Sequence, residues 1–97
     1  MRKINDIDTL KQGEPIVFIS GEDVRFYEFL MKHPNNEGYV LFLNTLTQNA
    51  DKFYIHSVLE NPRWLIECSA YDICVLQYKY HERELEILAQ RLSELSK

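Results

Sequence analysis

The stretch Ile73-Cys74-Val75-Leu76-Gln77-Tyr78-Lys79-Tyr80-His81-Glu82-Arg83-Glu84-Leu85 decides the fold, because the spacing of apolar residues changes within it. After His81 the rhythm is helical: Leu85, Leu88, Leu92 and Leu95 recur at three, four and three, with Ile87 beside them. His81 to Ser96 holds no Gly or Pro, and Glu82, Glu84 and Glu86 crowd its first turns, where the helix dipole favours negative charge. Before His81, Cys74, Leu76, Tyr78 and Tyr80 alternate with Val75, Gln77 and Lys79, the period of a half-buried strand. A second solution exists. Pro62 can open a long helix, and Tyr71, Cys74, Tyr78 and His81 fall on the same heptad register as the four leucines, which makes one rod with a coiled-coil seam. The β-branched Ile73 and Val75 and the three tyrosines favour strands, so Trp64 to Ala70 and Ile73 to Tyr80 are read as a strand pair.

Toward the N-terminus the punctuation is Gly, Pro and Asn. Ile16-Val17-Phe18-Ile19 is apolar on both faces, as a doubly covered strand is. Tyr39 to Thr47 is a strand that turns polar at its end, and Phe53 to Glu60 alternates as a further strand, with a helix as its alternative. Asn5 to Lys11 reads as a short helix, capped by Asn5 or Asp6 and closed by Gly13 and Pro15. Ser20 to His33 has two solutions. Glu22 and Asp23 after Ser20-Gly21 suit a helix start, with Val24, Tyr27, Leu30 and Met31 on one face. The same residues from Arg25 also alternate as a strand feeding a loop at Pro34–Gly38. The acidic pair tips the expectation to helix.

The expected architecture is one α+β domain over residues 1–97. It has a twisted antiparallel sheet or half-barrel of about four to five strands, a short N-terminal helix and a long amphipathic C-terminal helix. The expected core is Ile16, Phe18, Leu41, Leu43, Ile55, Leu76, Leu85, Leu88 and Leu92.

Composition narrows the function classes. Six Tyr, five Phe and Trp64, within 45% hydrophobic residues, are too apolar for a disordered chain. Fifteen acidic against eleven basic residues, with no basic block, weaken any mode that rests on clustered cations along a phosphate backbone. No run approaches the roughly 20 apolar residues of a membrane span, and no apolar segment follows Met1–Asp6, so no membrane partner and no secretory signal are expected. With only Cys68 and Cys74, no disulfide framework is implied, and the expected location is cytoplasmic.

Catalytic constellations are missing from the pattern. His33, His56 and His81 lie far apart, and Cys68-x5-Cys74 lacks the close pairing of structural zinc, so neither metal nor cofactor is expected. Ser20-Gly21 has no G-x-S-x-G around it, and Cys68 has no cation nearby to lower its pKa. A non-enzymatic interaction or regulatory protein is the first expectation, acting through an aromatic-rich surface on an unidentified protein partner. It self-associates as a homodimer through Leu85, Leu88, Leu92 and Leu95. The second is an RNA-binding regulator, because Arg25, Arg63, Trp64, Tyr78 and Lys79 interleave rings with cations.

The order of a short helix, the turn Lys11-Gln12-Gly13-Glu14-Pro15 and the strand Ile16–Ile19 resembles the entry to a PUA-like RNA-binding barrel. That resemblance implies a small regulator that binds RNA, with the strands through Tyr80 closing the barrel.

Overall fold

The computed structural model describes residues 1–96. Six strands form one antiparallel sheet: β1 (Arg2–Lys3), β2 (Pro15–Ser20), β3 (Asp23–Lys32), β4 (Tyr39–Asn44), β5 (Ala50–Tyr54) and β6 (Trp64–Ile66). Two helices complete the chain, α1 (Ile55–Glu60) and α2 (Ala70–Leu95). The spatial order is β1-β6-β2-β3-β4-β5. The sheet is therefore open, with β1 and β5 at its edges: the expected antiparallel sheet is present, with six strands rather than four to five, and it does not curl into the alternative half-barrel.

β2 and β3 are a hairpin, not a strand followed by a helix. Ser20 pairs with Asp23, and Gly21 turns the chain at φ +60, a conformation that two-residue hairpin loops demand and glycine adopts without strain. Alternation along β3 then puts Tyr27 and Phe29 on the buried side. Leu30 is the extra residue where the register to β4 shifts between Phe29 and Met31.

One side of the sheet carries the core. Ile16, Tyr27, Phe29, Val40, Phe42, Trp64 and Ile66 are buried there, with Phe18 and Phe53 packed against them. Ile4, Ile7, Leu10 and Val58 cover that side from above. The expected N-terminal helix is only a 3-10 turn over Ile7–Thr9, whose Asp6 side chain accepts a hydrogen bond from the Asp8 N–H. Ile4, Ile7 and Leu10 repeat every three residues, which is the 3-10 period rather than the α period.

The strand expected to run to Glu60 stops at Tyr54. Ile55, Val58 and Leu59 lie at i, i+3 and i+4, so α1 turns all three toward the core. β6 stops at Ile66, because Glu67 takes φ +58 and leaves the extended region.

The largest correction concerns Ile73 to Tyr80, which is helix. Ser69 and Asp72 form a capping box: Asp72 N–H donates to Ser69 Oγ at 3.0 Å and Ser69 N–H donates to Asp72 Oδ2 at 3.3 Å. That nucleus overrides the β propensity of Ile73 and Val75, and α2 runs unbroken for 26 residues. The helix starts at Ala70 rather than Pro62, and β6 keeps its place in the sheet.

α2 crosses the side of the sheet opposite the aromatic core. Register places Val17, Phe26 and Glu28 on that side, where they meet Ile73 and Gln77, and the Phe26 ring lies 6.5 Å from Tyr80. Of the expected core, Ile16 is buried, and Phe18, Leu41, Leu43, Ile55 and Leu76 are half-buried. Leu85, Leu88 and Leu92 are exposed, because α2 runs past the β2–β3 turn and meets no strand beyond it.

Candidate functional site

α2 carries two stripes. Ile73, Leu76 and Tyr80 are half-buried toward the sheet, and Arg83 extends that stripe with a 2.6 Å ion pair to Glu22 in the β2–β3 turn. On the other side, about 140° around the helix at 100° per residue, lies a second stripe. It comprises Tyr71, Cys74, Tyr78, His81, Leu85, Leu88, Leu92 and Leu95, at alternating spacings of three and four.

None of the second stripe is covered. Its large apolar members range from 51% exposed at Leu88 to 81% at Leu95, with Tyr71 at 77%, and Cys74 and His81 are exposed too. A strict 3.5-residue repeat keeps facing one direction only if the helix supercoils around another, so this pattern belongs to a helix–helix seam. The four leucines marked in the sequence are its second half. Tyr71 and Cys74 to His81 extend it toward the capping box, and the Ser69-x-x-Asp72 signature is the signal that puts those residues on the same helix.

Comparison with protein-family models, with curated sequences and with solved structures finds no match.

The residues expected at an RNA surface are dispersed by the fold. Trp64 is 6% exposed and sits in the core, 4.8 Å from the Phe18 ring and 4.9 Å from Phe53. Arg25 lies on β3, on the side of Phe18, 5.9 Å from that ring and paired with Asp23 at 3.1 Å. The neighbouring Tyr27, and then Asp23, hold its guanidinium charged above its ordinary range. Arg63 is exposed in the turn before β6, and its carbonyl accepts from Ile19 N–H. Lys79 borders the β2–β3 turn beside Gly21 and Glu22, while Tyr78 belongs to the uncovered stripe. A further ring–cation group lies at the β4–β5 edge, where Lys52 Nζ sits 4.8 Å from the half-buried Tyr39 ring and the exposed Tyr54 ring is tilted against Tyr39 at 5.6 Å.

Among the described residues, no group of three or more His, Cys, Asp or Glu lies close enough to hold a metal ion. No helix among them is long and apolar enough to cross a membrane.

Proposed function

We propose that this protein is a non-enzymatic interaction or regulatory protein that works as a homodimer, with α2 as its self-association surface. One observation carries the proposal: the heptad stripe from Tyr71 to Leu95 is uncovered along its length, while the opposite stripe of the same helix already serves the sheet. From His81 onward every residue through Leu95 is exposed, and a helical segment of that length is marginal in water without packing. Burial of the stripe against a second copy supplies that packing. Tyr71 and Tyr78 give the surface its aromatic content and, being amphipathic, suit a rim that is partly wet.

Light scattering tests the proposal. A dimer is expected at micromolar concentration, and Leu88→Glu is expected to give a monomer that keeps the near-ultraviolet signature of the Trp64 core, because Leu88 lies beyond the sheet. A wild-type chain that stays monomeric at high micromolar concentration overturns it.

An RNA-binding role would have to use Arg63, Tyr78 and Lys79 without Trp64, since an indole in the core offers no face to a base. Arg25 lies on the side of the sheet away from α2 and Trp64 is in the core, so the five residues do not form one platform, and self-association is therefore the better supported function.

A further inference from the structure

The geometry points to an antiparallel pairing of the two α2 helices, centred between Glu86 and Ile87, in which Glu84 of each chain faces Arg91 of the other. This rests on the homodimer proposed above and adds the orientation and register of its partner helix.

The residues flanking the stripe decide between arrangements. With Leu85 and Leu92 at the first core position of the heptad and Leu88 and Leu95 at the second, one shoulder holds Gln77, Glu84 and Arg91. The other holds Val75, Glu82 and Ala89. In a parallel, in-register pair, opposite shoulders meet five residues apart. Gln77 then faces the partner's Glu82, Glu84 faces the partner's Ala89, and Arg91 faces the partner's Ser96. No unlike charges meet.

In an antiparallel pair, like shoulders meet, and three registers are available one heptad apart. Centring the pair near Gln90 sets Arg91 against the partner's Arg91. Centring it near Arg83 sets Glu84 against the partner's Glu84. The register between them sets Glu84 against the partner's Arg91 twice, by symmetry. Neither residue has an ion-pair partner within the chain among the described residues.

The same register stacks a consistent core. Leu85 meets the partner's Leu88 at the centre, Leu92 meets the partner's His81, and Leu95 meets the partner's Tyr78, each layer occurring twice. Tyr78 and His81 thus cover the far ends of the partner's leucine run, while Tyr71 and Cys74 lie past the end of the partner's helix. Because the first half of α2 carries the sheet on its opposite stripe, the two sheets sit at opposite ends of the paired rod and do not compete for the seam.

Charge reversal and cross-linking test this together. Glu84→Lys and Arg91→Glu chains are each expected to dimerise about tenfold more weakly than wild type, since each replaces two attractive pairs by two repulsive ones. An equimolar mixture of the two is expected to regain wild-type affinity as a heterodimer, because every reversed residue then meets an opposite charge. In a Cys68→Ser chain, oxidation is expected to leave the Cys74 thiols unlinked, because the antiparallel register holds them about 37 Å apart along the rod. A wild-type dimer that ignores the reversals, or that links readily through Cys74, overturns the antiparallel register while leaving the homodimer standing. A wild-type monomer overturns both.

Discussion

Trp64 sits where four rings meet, with Phe18, Phe53, Phe42 and Tyr27 centred between 4.8 and 5.4 Å from it. Removing the indole leaves a cavity that rings on four different strands cannot close. Trp64→Ala is therefore expected to cost about 3–5 kcal/mol, a large share of the stability of a small domain, read as a fall in the urea midpoint. Its neighbour Arg63 is exposed, so the adjacency of ring and cation in the sequence says nothing about whether both reach solvent; β6 alternation separates them. The two cysteines differ for a related reason. Burial pushes the Cys68 thiol up from its ordinary value, since a thiolate is disfavoured away from water, whereas Cys74 is exposed on α2. Iodoacetamide followed by mass spectrometry is expected to label Cys74 first, with Cys68 lagging until the pH rises above the ordinary thiol range. The sign also bears on stability: a raised pKa means that the folded chain keeps the Cys68 proton longer than the unfolded one. The contribution is complete below the unfolded pKa and is lost as pH climbs through the folded value.

At the scale of elements, two of the three segments with double solutions were each settled by a few terminal residues. Ser20-Gly21-Glu22-Asp23 has the composition of a helix start, yet the β-branched and aromatic run on either side makes it the corner of a hairpin. The Gly21 φ of +60 is what that corner needs. A Cβ there meets nothing within 4 Å, so Gly21→Ala tests the backbone alone. It is expected to destabilise the protein by about 1 kcal/mol, measured by thermal unfolding, with no change in oligomeric state. Ser69-Ala70-Tyr71-Asp72 has the spacing of a capping box, a signal that the strand-like alternation just after it hides. Once the first turn is fixed by two reciprocal hydrogen bonds, propagation through Ile73 and Val75 costs little. Ile16–Ile19, the start of β4 and the helix after His81 were readable because their periods persist. In α1 six residues are too few to separate the helical spacing of Ile55, Val58 and Leu59 from strand alternation, and the three-residue repeat of Ile4, Ile7 and Leu10 does not fix how short the N-terminal turn is.

At the scale of the whole molecule, local pattern could not supply the strand order. β6 enters between β1 and β2 through Val17 with Leu65 and Phe18 with Trp64, partners nearly half the chain apart, and nothing in either segment names the other. The molecule is elongated, 53 × 28 × 22 Å, with a radius of gyration of 15.8 Å, against about 13 Å for a compact chain of this length. A rod of 26 residues is about 39 Å long, and the sheet supports only its first half, so the excess length is the free end of α2. The stripe was visible in the sequence as leucines, but its exposure depended on where the helix begins. A start at Ala70 commits Ile73, Leu76 and Tyr80 to the sheet and turns the heptad stripe outward. Two levels of protection against amide exchange follow. In the wild-type dimer, the amides of residues 84–95 are expected to be protected together, to a degree that falls on dilution. In Leu88→Glu, the same amides are expected to exchange at close to free-peptide rates, because a helix end with no packed face opens without disturbing the rest. Protection across β2, β3 and β4 is expected to be the same in both chains, since their hydrogen bonds and the rings beneath them do not involve the end of α2. Equal, concentration-independent protection of residues 84–95 in both chains would mean that the helix end is held by something other than a second copy.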